Sequence, residues 1–68
     1  GGRNFYFNDG RWVDARVQEA ANAPRRQLRF GSEEYFRFAA DHPEAGPWLA
    51  QGPSVVFVLD GTVYEVRD

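Results

Sequence analysis

Apolar and polar residues alternate in two stretches that each surround an Asp-Gly pair. The first stretch, NFYFNDGRWVD, predicts paired strands at residues 4–8 and 11–15, and the second, SVVFVLDGTVYEV, contains Asp60 and Gly61. An Asp-Gly pair between aromatic or β-branched runs favours a type I′ turn, in which both central residues take positive φ. The pattern therefore predicts two β-hairpins. An aspartate in such a turn normally serves its own backbone, so we interpret Asp60 as a turn residue and not as part of an acidic site.

A third alternating stretch, RQLRF, occupies residues 26–30. It places Leu28 and Phe30 on one side of an extended chain and Gln27 and Arg29 on the other, which is typical of a short, half-buried strand. The stretch before it, ARVQEAANAPRR, is polar and rich in alanine, and it shows no sustained period. We interpret that stretch as a loop or a single helical turn.

The segment SEEYFRFAAD carries the signals of a helix start. Ser32 can accept a hydrogen bond from a free backbone N–H, and the two glutamates after it lie where the helix dipole favours negative charge. Glu33 and Arg37 have the i,i+4 spacing of a favourable ion pair. At about 100° per residue, five apolar side chains gather on one broad side, which we expect to pack on the sheet. These side chains are Tyr35, Phe36, Phe38, Ala39 and Ala40.

A second, shorter helical turn is predicted after His42. Pro43 limits the first helix, because proline disfavours helical conformation in the residue before it, yet proline is well suited to begin a new turn. That turn contains Trp48 and Leu49. We expect Trp48 to be buried as a plug at the open end of the sheet, because so small a domain has few residues to cover it. The alternative is an exposed aromatic anchor for a partner.

The predicted order of elements is β-β-β-α-β-β. This order indicates one small domain over residues 1–68, of the α+β class. Its sheet is expected to be a small curled antiparallel sheet or an open barrel of about five strands, covered by one amphipathic helix. Predicted strands begin and end close to the two ends of the sequence, and we interpret the chain as a fragment of a longer multidomain protein.

Composition narrows the classes of function. Aromatic residues make up 16% of the chain, which is enough to build a core without disulfides. Cysteine is absent, which excludes thiolate metal sites and a cysteine nucleophile. The net charge is -2 and all eight basic residues are arginine, a balance that gives no general attraction to nucleic acid. The longest apolar run, VVFVL, is far below the roughly 20 residues that span a bilayer, so membrane insertion is not expected.

Candidate catalytic groups are few. The chain has a single histidine, His42, and three serine or threonine hydroxyls. His42 precedes a proline at a helix end, where we interpret it as a junction residue. Glu33 and Glu34 diverge by about 100° on a helix and do not converge on one substrate. We therefore predict no enzyme activity, no catalytic or metal-binding residue and no cofactor, and a hydrolase or metal-dependent enzyme fragment is the last of our hypotheses.

The stretch RRQLRF contains a local cluster of positive charge. Arg25 and Arg29 are expected to share the outer side of the third strand, next to Phe30. The functional interpretation is a contact to a phosphate or to an acidic protein. The structural interpretation, which the acidic overall composition favours, is a solubilising surface that protects the edge of a short strand. The candidate partner-binding residues are thus Arg25, Arg29 and Trp48.

Four phrases, FYFNDGRWVD, SEEYFRFAADHPE, WLAQG and VVFVLDGTVYEV, resemble a C-terminal region of bacterial proteins that carry VIT and von Willebrand factor type A domains. The resemblance covers most of the chain, in the order hairpin, strand, aromatic helix, Leu-Ala-x-Gly turn and hairpin. It implies an appendage of a multidomain protein, with the cell envelope as the location to expect. The metal-binding serines and aspartates of the type A domain would lie elsewhere in that protein. The long connection at residues 15–24 and the inserted Gly46-Pro47 depart from the pattern.

Two hypotheses about function lead from these observations. The first is a non-catalytic accessory or protein-interaction domain of a larger bacterial protein, whose partners are other domains of the same chain or another protein. The second is a small nucleic-acid-binding module that uses an arginine and aromatic surface, as small five-stranded barrels can. The net negative charge argues against the second.

Overall fold

The chain forms short strands and helical segments over residues 3–68, the part that the computed structural model describes. The strands among these residues are β1 (Phe5–Asn8), β2 (Arg11–Asp14), β3 (Arg25–Arg29), β4 (Val55–Leu59) and β5 (Thr62–Arg67). The α-helices are α1 (Glu33–Asp41) and α2 (Gly46–Leu49), and 3-10 helices lie at Ala15–Ala20 and Pro43–Ala45.

The strands form one open sheet in the order β1-β2-β4-β5-β3. This confirms the α+β class. The sheet is mixed, however, and not antiparallel throughout: β1–β2 and β4–β5 are antiparallel, while β2–β4 and β3–β5 are parallel. The reason is the connection after β2, which passes β4 and β5, so that β3 joins the far edge of the sheet in the same direction as β5.

The two Asp-Gly pairs form the predicted turns. The φ angles are 52° and 79° at Asp9 and Gly10, and 49° and 77° at Asp60 and Gly61. Positive φ at both central residues is the signature of the type I′ turn, whose twist matches that of the strands it joins. The two hairpins are β1–β2 and β4–β5, and they lie side by side through the parallel pairing of β2 with β4.

The main core lies on the sheet face that α1 and α2 cover. Phe57 on the central strand β4 is fully buried, and its ring packs against those of Phe38, Trp48 and Tyr64 at centroid distances of 5.9, 5.3 and 5.6 Å. The buried residues of this core are Leu28, Tyr35, Phe38, Ala45, Leu49, Val55, Phe57, Leu59 and Val66. Six of these nine residues lie on strands or on α2, and the other three lie on α1 and on the 3-10 helix Pro43–Ala45.

The opposite face of the sheet has a smaller apolar layer. Alternation along the strands places Val13, Val56 and Val63 on that face, and all three are buried. The 3-10 helix Ala15–Ala20 lies against β4 and β5, and its Gln18 Nε2 donates to the Tyr6 hydroxyl at 3.3 Å. The first six residues of the polar stretch after β2, predicted as a loop or a single helical turn, thus form two turns of 3-10 helix against the second face.

Helix α1 begins and ends as the sequence predicts. Ser32 Oγ accepts a hydrogen bond from the Tyr35 N–H at 3.1 Å, and Arg37 pairs with Glu33 at 3.1 Å. The predicted width of its packed side is wrong, because Phe36 and Ala40 are exposed. The buried side is centred on Tyr35 and Phe38, and a residue directly after Tyr35 is rotated about 100° away from it.

Candidate functional site

The two arginines singled out from the sequence lie on one side of the edge strand β3. Arg25 and Arg29 are exposed and four residues apart, so they share a face of the strand at a separation of about 13 Å. Arg25 is paired with Glu65 Oε2 of the neighbouring strand at 3.4 Å. Its charge is therefore partly neutralised within the domain, and Arg29 is the freer of the two.

Arg29 has a second arginine as its direct neighbour. It is the register partner of Arg67 on β5, and parallel pairing places both side chains on the same face of the sheet. Within residues 3–68 neither of these arginines forms an ion pair. Both contribute to a surface cleft of about 650 Å³ that also contains the acidic Glu34 and Asp68. Positive charge here is concentrated, but acidic groups lie close to it.

An exposed aromatic surface adjoins this end of β3. We define it as Phe30, Tyr35 and Phe36. The Tyr35 ring is buried and contacts Phe30 on one side and Phe36 on the other, with ring centroids 5.2 and 5.3 Å apart. Phe30 is 41% exposed and Phe36 is 62% exposed. The sequence placed Phe36 inside, and only the structure shows that this ring faces solvent.

Trp48, the third candidate, lies away from both arginines. It belongs to α2 on the main-core face, where it packs against Phe57 and is half-buried. The Arg3 guanidinium lies 4.2 Å from the centre of its ring, in a cation–π contact. Trp48 thus has packed neighbours on two sides, but it is only partly buried, so it is neither the fully buried plug that was expected nor a fully exposed anchor.

A buried ion pair beneath Trp48 was not foreseen from the sequence. Asp14 is 0% exposed, and its Oδ2 accepts from Arg3 Nη1 at 2.6 Å and from the Val58 N–H at 3.2 Å. Its Oδ1 accepts from the Arg16 N–H at 3.0 Å, which caps the 3-10 helix. Arg3 Nη1 also donates to the Val58 carbonyl oxygen.

This ion pair takes the place of a missing piece of sheet. The ladder between β2 and β4 ends at Val13 and Val56, because the chain turns into the 3-10 helix. Two residues later on β4, Val58 would lose both of its partners on that side. The Asp14 carboxylate and the Arg3 guanidinium supply the acceptor and the donor instead. An aspartate before a helical stretch is a capping signal, but nothing in the sequence points to Arg3 as its partner.

The opposite edge of the sheet also exposes aromatic rings. On β1, Phe7 is 60% exposed and Tyr6 is 38% exposed. Phe7 contacts the Trp12 ring of β2 at a centroid distance of 5.1 Å. We call Phe5, Tyr6 and Phe7 the β1 edge. Sequence reasoning did not select it, because its position at the border of the sheet depends on strand order.

His42 is a junction residue in the structure. It ends α1, its N–H donates to the Phe38 carbonyl oxygen at 2.9 Å, and its ring lies 4.6 Å from the Phe38 ring. Glu44 is its acidic neighbour, with Oε2 at 3.8 Å from Nδ1. Among residues 3–68 no three histidine or acidic side chains come close enough together to hold a metal ion.

Comparisons with known proteins complete these observations. Neither a family model, nor a curated protein, nor a solved structure matches the chain. Over the described residues 3–68, no helix has the length and apolar character needed to cross a membrane.

Proposed function

We propose that this chain is a non-catalytic protein-interaction domain that serves as an accessory part of a larger bacterial protein. The observation that carries the proposal is the exposed aromatic surface of Phe30, Tyr35 and Phe36. Phe36 keeps 62% of its surface in contact with solvent on a helix whose other large apolar residues are packed. Aromatic side chains are enriched at the centres of protein interfaces, where a large rigid ring buries much area at little entropic cost.

The surroundings of this surface suit a protein partner. Tyr35 is buried in the main core and contacts the rings on both sides of it, so both exposed rings rest on packed structure. Arg29 precedes Phe30 and adds a charged border, as is common at the rim of an interface. A partner with an apolar centre and an acidic border would complement it.

The larger protein is proposed from the sequence resemblance. The four phrases that resemble a C-terminal region of proteins with VIT and von Willebrand factor type A domains support an appendage in such a protein, with a cell-envelope location. The partners would then be neighbouring domains of the same chain or another protein at that location. No metal-binding role is proposed for this domain.

The proposal can be tested by adding the other domains of the parent protein to the isotope-labelled domain and following its amide NMR signals. We expect shifts at Phe30, Phe36 and Arg29. Phe36→Ser should weaken binding at least tenfold, because truncating a central aromatic contact commonly costs about 2 kcal/mol or more. Phe7→Ser is the matched control, since Phe7 is as exposed as Phe36 but lies at the other edge. Equal loss in both variants, or no shifts at these residues, would contradict the proposal.

A second candidate function, nucleic-acid binding, is supported by one observation. Arg29 and Arg67 lie side by side without an ion pair within residues 3–68, and the exposed Phe30 ring is adjacent in sequence. Such a pair could hold phosphates while the ring stacks on a base. Glu34 and Asp68 in the same cleft oppose this use, because they repel the phosphate backbone.

Titration with labelled single and double strands separates the two functions. We expect no micromolar affinity at physiological salt, because ten acidic residues outweigh eight arginines. Salt-sensitive micromolar binding that disappears in the Arg25→Ala/Arg29→Ala double variant would make nucleic-acid binding the better proposal. Binding that persists in that variant would exclude this surface as its origin.

A further inference from the structure

We infer that the β1 edge is a self-association surface, and that its occupant is β1 of a second copy of this chain in antiparallel orientation. The pairing would join two five-stranded sheets into one of ten strands. It involves the border of the sheet opposite to Arg29 and does not depend on the proposed function of the aromatic surface.

The backbone of β1 is ready to pair in one register. In an antiparallel strand, alternate residues direct their N–H and C=O groups to opposite sides. The Asn4 carbonyl oxygen accepts from the Ala15 N–H at 2.8 Å, so Asn4, Tyr6 and Asn8 face β2. Phe5 and Phe7 therefore direct their backbone groups outward. Among residues 3–68 nothing pairs with that border.

A two-fold axis through Tyr6 would give the outward N–H and C=O groups of Phe5 and Phe7 hydrogen-bond partners in the second copy. Phe5 would then form a hydrogen-bonded pair with Phe7 of the second copy, and Phe7 with Phe5. The four phenylalanine rings would lie together on the main-core face. The two Tyr6 side chains would meet on the other face as direct cross-strand neighbours. Aromatic pairs between neighbouring strands stabilise a sheet beyond its backbone hydrogen bonds, and Phe7 and Tyr6 have exposed area to bury.

Charge explains why a second copy fits β1 and not the other border. β1 has the sequence FYFN and contains no charged residue, whereas β3 carries arginine at three of its five positions. An antiparallel self-pairing centred on Gln27 of β3 would place Arg25 opposite Arg29, and like charges directly opposite each other destabilise a pair. Arginines on β3 protect that border from self-pairing, and β1 has no such protection.

The contact is small, because β1 has only four residues, so we expect a weak and concentration-dependent dimer. Sedimentation equilibrium between about 1 µM and 1 mM should show the mass rising from 7.8 kDa toward twice that value. Over the same range, amide hydrogen exchange at Phe5 and Phe7 should slow with concentration. Exchange at Tyr6 should not change with concentration, because its N–H already faces β2. This measurement needs no variant.

Charge variants at the two-fold axis test the register itself. Tyr6→Lys and Tyr6→Glu should each remain monomeric across this range, because two like charges would face each other. An equimolar mixture of the two should recover the dimer, because opposite charges would then meet. Phe36→Lys is the control for lost apolar surface, and it should dimerise as the wild type does. The inference is overturned if the wild type stays at 7.8 kDa at the highest concentration, if the mixture stays monomeric, or if Phe36→Lys also abolishes the dimer.

Discussion

The two hairpins have the same type of turn, but their strands differ in burial. The φ angles of Asp9-Gly10 and Asp60-Gly61 agree within 3°, and both turns join strands in the same two-residue register. Yet β4 is buried at four of five positions, whereas β1 is buried at none. Turn geometry is set by two adjacent residues, and burial is set by the place of a hairpin in the sheet. The peripheral hairpin is therefore free to offer its outer strand to a partner.

The largest expected difference between the hairpins concerns the acidic residues that occupy equivalent positions after each turn, Asp14 and Glu65. We expect Asp14→Ala to lower the free energy of unfolding by about 3–5 kcal/mol, because it removes the charge partner of the largely buried Arg3 guanidinium and the acceptor of the Val58 N–H. Glu65→Ala should cost about 1 kcal/mol or less, because its partners Arg11 and Arg25 are half-exposed. Urea unfolding followed by circular dichroism measures both. Equal costs would show that the buried pair is no stronger than the surface pair.

A smaller effect is expected from removing the ring that supports the central hairpin. Trp48→Ala should cost about 2–4 kcal/mol, slightly less than for a fully buried ring, because Trp48 packs on Phe57 but keeps some exposure. Emission can be measured in a Trp12→Phe background, so that only Trp48 reports. We expect blue-shifted emission that iodide quenches poorly. Red-shifted, readily quenched emission, together with a stable Trp48→Ala variant, would make Trp48 a partner-binding residue instead.

The smallest expected difference lies in the turns themselves. Gly61→Val and Gly10→Val should each cost about 1–2 kcal/mol, because a β-branched residue is strained at positive φ. A Cβ at either glycine meets no atom within 4 Å, so we expect backbone strain to dominate the cost, which should be nearly equal in the two hairpins. Asp60→Asn is the control and should change the melting temperature little. A neutral Gly61→Val, or an Asp60→Asn that is strongly destabilised only with calcium present, would show that Asp60-Gly61 is more than a turn.

Local features of this fold are readable from the sequence, and relations between distant segments are not. The Asp-Gly turns, the Ser32 cap and the Glu33–Arg37 pair each depend on residues at most four positions apart, and all are present. The parallel pairings of β2 with β4 and of β3 with β5 depend on where the 3-10 connection leads the chain. The pattern of apolar and polar residues does not indicate where that connection leads.

The candidate site shows the same limit. Arg25 and Arg29 lie on one exposed side of a strand, as alternation predicts. The partner of Arg25 is a glutamate 40 residues away, and the neighbour of Arg29 is an arginine on another strand. Phe36 was expected inside because the apolar side of α1 is broad in sequence, but the helix offers only Tyr35 and Phe38 fully to the core. Which aromatic rings are left for a partner is therefore decided by packing.

The Asp14–Arg3–Trp48 cluster has a consequence for how this domain can change during evolution. Val58 contributes only its backbone to the cluster, so its side chain can be replaced by other residues that suit a strand. The three side chains depend on one another. Loss of Arg3 would leave the buried Asp14 carboxylate without its ion-pair partner, and loss of Asp14 would leave the guanidinium next to Trp48 without its counter-charge. We expect descendants of this chain to substitute these three positions together, as a correlated set that links the start of the chain, the end of its first hairpin and the second helix.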